Sequence, residues 1–205
     1  MLIKICGLKT QEAVQAAVEN GATHIGFVFA KSKRKITKQQ ARSLAKLIPD
    51  GIVKVGLFVD EDLTKVKELI EEVPLDMVQL HGSESIDYAN EINVPILKAF
   101  SVEEGKLPEG IKEFHEHTIL LDAPSGKFAG GNGERFEWEK VDVSQLSNYQ
   151  FFIAGGLTSE NVVQAIQYFH PTGVDVSSGV EVNGEKNIRK IKDFIQTVKN
   201  NQLKN

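Results

Sequence analysis

The stretch "LIKICGLKTQEAVQAAVENGATHIGFVF", residues 2–29, has the pattern of a strand, a helix and a second strand. It begins with "LIKIC" and ends with "THIGFVF", two short apolar runs rich in β-branched residues, as is typical of buried strands. The stretch between them has helical spacing of its apolar residues, with Thr10 as the N-cap and Gly21 as the stop. Because a helical crossover joins parallel strands, these residues predict a βαβ unit.

The same alternation continues to the end of the chain. Six further apolar runs lie at residues 52–59, 75–81, 95–100, 118–122, 151–155 and 173–177, which makes eight predicted strands. Further helical stretches start at Thr37 and Thr158, and "NIRKIKDFIQTVKNN" forms the last one. This pattern predicts the α/β class and a single-domain (β/α)8 TIM barrel over residues 1–205. An open doubly wound sheet is the rival, but no G-x-G-x-x-G follows the first strand.

Composition excludes several classes of protein. The 205 residues carry 24 basic and 28 acidic side chains, and this net charge of −4 argues against a nucleic-acid-binding protein. The single cysteine cannot form an internal disulfide, which indicates a reducing compartment. No segment has the length of a membrane span, and the N-terminus lacks the features of a signal peptide. We therefore predict a cytoplasmic protein, a monomer or weak homodimer, with no nucleic-acid or membrane partner.

Polar side chains interrupt the predicted strands near their carboxyl ends, where the active sites of such barrels lie. Residues two apart share a face of a strand, so several of these side chains are expected to point into the barrel lumen together. The set comprises Lys4, Cys6, Gln79, His81, Lys98, Asp122, Asp175 and Ser177. Each has a structural interpretation, such as a core cysteine or a Lys4–Asp175 ion pair. Together they indicate a functional site at one barrel mouth.

Two glycine-rich turns follow the last two strands. "AGGLT" (154–158) precedes a helix, and "SSGVE" (177–181) reads as a short loop or helix start. Backbone N–H groups in such turns bind phosphate, and barrels often place a phosphate site after strands seven and eight. Tight turns without a ligand are the structural alternative. The basic run "KSKRK" (31–35) offers an arginine for a substrate carboxylate, or is a solvated charge run.

The long loop "DAPSGKFAGGNGERFEW" (122–138) is glycine-rich, and we expect it to close over a ligand. Together with this loop, the segments "KICGLKT", "GFVFAKSKRKI", "VGLFVD", "VQLHG", "AGGLTSENV" and "DVSSGVE" cover nearly the whole chain in one order. In that order they resemble the phosphoribosylanthranilate isomerase family. The resemblance implies a (β/α)8 barrel with neither cofactor nor metal. It also implies a phosphorylated small-molecule substrate and an Amadori rearrangement in tryptophan biosynthesis.

The resemblance also implies the roles of individual residues. Cys6 is expected to be the general base and Asp122 the general acid. Arg34 is expected to meet the anthranilate carboxylate, and the resemblance places His81 and Asp175 in the pocket. The implied phosphate site comprises Gly155, Gly156, Ser177, Ser178 and Gly179. Two positions depart from the family pattern: Asn132 replaces a threonine in "GGNG", and Asn187 replaces an aspartate, where it can still cap the last helix.

In water at pH 7, neither an aspartic acid nor a cysteine is mainly in the protonation state that its catalytic role requires. A free aspartic acid is ionised at pH 7, and a free cysteine is mostly a thiol. Lys4 shares a strand face with Cys6, so we hypothesise that its charge lowers the thiol pKa. The alternatives are a phosphosugar epimerase, a Schiff-base lyase with Lys98 or Lys4 in the lumen, and a non-catalytic phosphometabolite-binding barrel. The five histidines form no convincing metal cluster for an epimerase.

Overall fold

The computed structural model describes residues 1–123 and 138–203. Eight parallel strands follow one another around a closed barrel, and the first strand pairs with the eighth. The strands are β1 (Leu2–Cys6), β2 (His24–Val28), β3 (Val53–Phe58), β4 (Met77–Leu80), β5 (Ile96–Ser101), β6 (Thr118–Asp122), β7 (Phe151–Ile153) and β8 (Gly173–Val176). The predicted (β/α)8 barrel is therefore confirmed, and the doubly wound alternative is wrong.

The α-helices of the described residues lie between the strands and after the last one. They are α1 (Gln11–Asn20), α2 (Lys38–Ala45), α3 (Leu63–Glu72), α4 (Ile86–Asn90), α5 (Val162–Phe169) and α6 (Ile188–Gln202). The predicted caps are confirmed, because the Thr10 and Thr37 hydroxyls accept backbone N–H bonds in the first turns of α1 and α2. Gly21 ends α1 with a φ of 96°, a left-handed conformation that favours glycine.

One connection lacks a full helix, and one predicted helix starts later than expected. The segment between β5 and β6 contains a 3₁₀ helix, Glu109–Phe114, because Gly105, Pro108 and Gly110 interrupt any longer helix. The helix after β7 starts at Val162 rather than Thr158. The Thr158 backbone N–H donates to the Asn161 side chain at 2.8 Å, and this local turn competes with a helical start.

The barrel has two apolar layers. The larger layer lies between strands and helices, and it includes Ile3 and Ile5 of β1 and Ile119 and Leu121 of β6. The smaller one fills the lumen with Leu97, Ala99, Leu120, Phe152 and Ala154. Strand residues therefore alternate between the two layers, and the polar set extends the lumen layer towards the carboxyl mouth. A short hairpin, β9 (Glu181–Val182) and β10 (Glu185–Lys186), follows the eighth strand at this end. Within the described ranges, no helix is long and apolar enough to cross a bilayer.

Candidate active site

Alternation along β1, β4, β6 and β8 determines which polar side chains share the lumen. On β6, Leu120 belongs to the lumen layer, so Asp122 two residues later faces the same way. On β1, Ile3 and Ile5 pack towards the helices, which leaves Lys4 and Cys6 inside. The same parity places Gln79, His81, Asp175 and Ser177 inside, as predicted.

The predicted lumen position of Lys98 is wrong. Leu97 and Ala99 belong to the lumen layer, so Lys98 lies on the opposite face of β5. Its Nζ donates to the Glu84 carboxylate at 2.9 Å and to the Gly82 carbonyl at 2.6 Å. A buried ion pair behind the sheet gives Lys98 no access to a substrate in the lumen. Lys98 therefore cannot be the nucleophile of the Schiff-base lyase that the sequence left open.

The thiol of Cys6 lies at the end of β1, directly opposite Gly26 of the neighbouring strand β2. A Cβ atom at Gly26 would lie 2.9 Å from Sγ, closer than real Cβ contacts, so the glycine makes room for the sulfur. Burial raises the pKa of the Cys6 thiol above its ordinary value, while the ammonium groups of Lys4 and Lys186 act to lower it. These two cations therefore favour the thiolate, against the larger cost of burial.

Lys4 is fully buried, and its Nζ donates to the Asp175 carboxylate at 3.0 Å. Burial acts to lower the pKa of Lys4, but the charges of Asp175 and Cys6 outweigh it, so the pKa is raised above its ordinary value. Lys4 therefore carries its charge beside the thiol. Lys4 thus balances Asp175, as one interpretation of the sequence proposed. Its charge acts to lower the thiol pKa, which burial nevertheless keeps raised, so the tuning of Cys6 by Lys4 stays a prediction.

Asp122, the predicted acid, lies on β6 with hydrogen-bond donors around it. Its Oδ1 accepts the Ala123 backbone N–H at 2.8 Å, and its Oδ2 lies 3.4 Å from His81 Nε2. On the far side of the ring, Gln79 Nε2 lies 2.9 Å from His81 Nδ1. With the amide nitrogen as donor, Nδ1 is the acceptor, and the ring proton of neutral His81 lies on Nε2, towards Asp122. Gln79, His81 and Asp122 thus form one chain of polar contacts.

Arg34 lies in the loop after β2, where the sequence places it, but it already holds a carboxylate of this protein. Its Nε and Nη2 donate to the two oxygens of Glu181 at 2.7 and 2.9 Å. Lys186 donates to the same carboxylate at 2.7 Å and to the Ser177 carbonyl at 2.8 Å. Sequence reasoning missed Glu181 and Lys186. In the sequence, Glu181 is only the last residue of the "SSGVE" turn, and no neighbouring residue indicates its partner.

The two glycine-rich turns lie close together at the mouth. Gly155 and Gly156 have φ values of 78° and 65°, which favour glycine. A Cβ at Gly155 would lie 2.6 Å from the Ala123 nitrogen, and one at Gly179 would overlap the Leu157 carbonyl oxygen. The turn after β8 is the short 3₁₀ helix Ser178–Val180, in agreement with the predicted loop or helix start. A side chain at Gly155 or Gly179 would therefore clash with neighbouring backbone, so both turns require glycine at these positions.

Two further predictions concern the loop after β6 and the last helix. Residues 124–137 lie outside the described residues, and so do the expected closing loop and Asn132. Asn187 does cap α6, since its side chain accepts the Lys190 backbone N–H at 3.1 Å. The departure from the family pattern at residue 187 therefore preserves the helix start.

A closed (β/α)8 barrel with a buried thiol, a carboxylate and a histidine at its carboxyl mouth defines a barrel enzyme of the acid–base type. Residues 3–197 match the family of N-(5'-phosphoribosyl)anthranilate (PRA) isomerase. The chain belongs to the phosphoribosylanthranilate isomerase family. The resemblance drawn from the sequence motifs is confirmed.

Individual relatives agree with this assignment. The N-(5'-phosphoribosyl)anthranilate isomerase of Listeria monocytogenes is 52% identical over 199 residues, covering 97% of this chain and 98% of the relative. A phosphoribosylanthranilate isomerase crystallised with reduced 1-(o-carboxyphenylamino)-1-deoxyribulose 5-phosphate has a TM-score of 0.87 and 35% identity, covering 98% of this chain and 99% of that one. Crystallised monomers of the dimeric Thermotoga maritima enzyme have the same score, identity and coverage.

Proposed function

We propose that this protein converts N-(5-phosphoribosyl)anthranilate to 1-(2-carboxyphenylamino)-1-deoxyribulose 5-phosphate, with Cys6 as the base and Asp122 as the acid. The observation that carries this proposal is the position of the two groups. Both lie on lumen-facing positions at the carboxyl ends of strands, on β1 and β6, which are well separated around the barrel. A substrate bound between them would meet an acid on one side and a base on the other. The relative crystallised with the reduced product supports the same substrate class.

The Amadori rearrangement needs these two groups in turn. Protonation of the furanose ring oxygen by Asp122 breaks its bond to C1, and the anilino nitrogen lone pair forms the C1=N bond of a Schiff base. The Cys6 thiolate then removes the proton from C2. The C–H electron pair forms the C1=C2 bond of an enolamine, and the π pair of the C1=N bond returns to the anilino nitrogen. Tautomerisation of this enolamine gives the ketone. Each proton transfer by a positioned group is worth about 10²- to 10⁴-fold in rate.

The rest of the mouth suits the other two parts of the substrate. We assign the phosphate to the backbone of Gly155 and Gly156 and to the turn from Ser177 to Gly179, because adjacent glycine-rich backbone can bind a phosphate oxygen closely. We assign the anthranilate carboxylate to Arg34, whose guanidinium matches a planar carboxylate. His81 and Asp175 complete the pocket by contacting Asp122 and Lys4 respectively.

The organisation of the whole chain is part of the same proposal. We propose that residues 1–205 form one domain, because the first and last barrel strands pair directly. A monomer or weak homodimer fits the few large hydrophobic side chains that the described residues expose, namely Met1, Tyr168, Val182, Ile188 and Leu203. A cytoplasmic location fits the single cysteine, Cys6, which is a free thiol.

Turnover of phosphoribosylanthranilate by wild type, Cys6→Ser and Asp122→Asn tests the proposal. The loss of anthranilate-type fluorescence follows the reaction. We expect wild-type turnover and a fall in kcat of about 10²- to 10⁴-fold in each variant, the range for a general acid or base. Asp193→Asn, in an exposed carboxylate of α6, is the matched control and should keep wild-type kcat. Full activity in Cys6→Ser would return the cysteine to a packing role, and an inactive wild type would contradict the reaction itself.

A further inference from the structure

The carboxylate of Glu181 lies between two cations at the edge of the candidate site. Its Oε1 accepts from Arg34 Nε and from Lys186 Nζ, both at 2.7 Å, and its Oε2 accepts from Arg34 Nη2 at 2.9 Å. All three side chains are nearly buried: Arg34 is 8% exposed, Lys186 4% and Glu181 6%. Burial raises the pKa of Glu181, but the two cations outweigh it and hold the pKa below its ordinary value. The group is therefore a charged, nearly dry cluster.

Glu181 uses only one edge of the guanidinium. The fork formed by Nε and Nη2 faces Glu181, whereas Nη1 has no hydrogen-bond partner among the residues that the structure describes. Nη1 and the second N–H of Nη2 form another parallel pair of donors, which matches a planar carboxylate in the same way. Arg34 can therefore hold Glu181 on one edge and a second carboxylate on the other.

The side chain of Arg34 passes close to the residue that follows the base. Gly7 follows Cys6 with a φ of 77°, and a Cβ there would lie 2.7 Å from Arg34 Cδ. The arginine side chain thus crosses the chain directly after the thiol. The bidentate contact with Glu181 raises the pKa of Arg34, and the charge of Cys6 acts in the same direction as a smaller cause.

The second cation ties the cluster to the predicted phosphate turn. Lys186 Nζ donates to the Ser177 carbonyl at 2.8 Å and to its hydroxyl at 3.2 Å. The Ser177 hydroxyl in turn donates to the Cys6 carbonyl at 3.3 Å. One carboxylate therefore links the loop after β2, the turn after β8 and the end of β1.

We propose that Glu181 is a positioning residue for the substrate carboxylate: it holds one edge of Arg34 so that the other edge faces the bound anthranilate ring. The inference rests on the proposed function, in which Arg34 binds that carboxylate. Glu181 does not touch the substrate in this arrangement. It fixes the direction of the free fork, and Lys186 fixes the distance of the fork from the phosphate turn.

The test compares two substrates in wild type and Glu181→Gln. One is N-(5-phosphoribosyl)anthranilate, and the other is the same compound without the carboxylate, N-(5-phosphoribosyl)aniline. If Glu181 orients Arg34, kcat/KM for the carboxylated compound falls by about 10- to 100-fold, the range for a lost hydrogen bond to a charged group. The loss appears mainly in KM, and the aniline compound is affected less than about twofold. Arg34→Lys should give the same selective loss, since lysine lacks a fork.

Two controls separate positioning from stability. Glu185→Gln changes a glutamate of the same hairpin that is 67% exposed and pairs with Lys9, and it should leave both substrates unaffected. Glu181→Asp retains the charge on a shorter side chain, and it should show the selective loss if Glu181→Gln does not fold. Thermal unfolding of each variant confirms that folded protein is compared.

Four outcomes would overturn the inference. An equal loss for both substrates in Glu181→Gln and Glu181→Asp would make the carboxylate a purely structural ion pair. A wild type that does not prefer the carboxylated compound would show that Arg34 does not bind the substrate carboxylate. An Arg34→Lys variant that keeps the preference would show the same. Both results would leave the isomerase function in place. A wild type that turns over neither compound would contradict the proposed function, and with it the substrate that the inference requires.

Discussion

The two halves of the barrel mouth surround their catalytic groups with different kinds of polar partner. On the base half, Cys6 lies near three cations, Lys4, Lys186 and Arg34, each of which is paired with a buried carboxylate. On the acid half, Asp122 meets the neutral Ala123 N–H and the imidazole of His81. Full charges act strongly over several ångströms in a dry site, whereas neutral hydrogen bonds act only on contact. We therefore expect large and stability-linked effects on the base half and smaller, local effects on the acid half.

The largest effect is expected from Lys4→Met, which removes the ion pair between Lys4 and Asp175 on the base half. Removal of the ammonium leaves Asp175 buried and unpaired, and breaking such a pair costs about 3–5 kcal/mol in the free energy of unfolding. The thiol pKa of Cys6 should rise further above its ordinary value, because Lys4 is the larger of the two cationic influences that lower it. Urea unfolding measures the first effect, and thiolate ultraviolet absorbance against pH measures the second.

The double variant Lys4→Met/Asp175→Asn is the control for this prediction. It removes both charges, so most of the lost stability should return while the thiol pKa stays raised. A thiol pKa that does not change in Lys4→Met would show that Lys4 does not tune the base. A double variant as unstable as the single one would show that the stability loss has another cause.

A second prediction uses His24, which lies on β2 beside Lys4 in the barrel register. Burial, with the Lys4 charge as a smaller cause, lowers the His24 pKa from its ordinary value to about 4. Between pH 4 and 6.5 the unfolded chain binds the proton and the folded chain does not, so stability falls as pH falls. The whole difference amounts to about 3 kcal/mol, fully present above pH 6.5 and lost by about pH 4.

Unfolding free energies of wild type and His24→Gln, measured from pH 7 to pH 4, test this linkage. The variant lacks the titrating ring, so its stability should decline less over this range, by the same ~3 kcal/mol. Carboxylates titrate in both proteins, and the difference between the two curves isolates the imidazole. Parallel curves would mean that His24 titrates alike in the folded and unfolded chains.

The smallest effect is expected on the acid half, from Gln79→Met. The substitution removes the 2.9 Å contact that orients His81, so kcat should fall by about threefold to tenfold, the range for one neutral hydrogen bond. Stability should change little, because the buried Gln79 Oε1 has no hydrogen-bond partner among the described residues and its burial is costly. Steady-state kinetics and urea unfolding measure the two quantities.

Gln39→Met, at an exposed position of α2, is the matched control and should change neither kcat nor stability. If Gln79→Met lost stability in proportion to activity, the glutamine would be a packing residue. If it destabilised the protein more than Lys4→Met, the expected order of the two halves would be reversed.

Much of the fold and part of the candidate site follow from local sequence patterns. The β-branched runs and the caps at Thr10 and Thr37 depend on neighbouring residues, and these were predicted correctly. The period of two placed Cys6 and Asp122 in the lumen, because their strands carry large apolar residues on the other face. The ordered motifs were enough to identify the family, because the motifs and their order can be read directly from the sequence.

Only the tertiary structure decided the position of Lys98 and the partner of Arg34. "PILKAF" is apolar on both sides of Lys98, so its pattern does not say which face meets the helices. Arg34 and Glu181 are 147 positions apart, and they meet because the closed barrel brings the loop after β2 beside the hairpin after β8. Strand parity and helix caps are short-range properties that a sequence states directly. The pairing of two distant charges depends on barrel closure, which no local pattern contains.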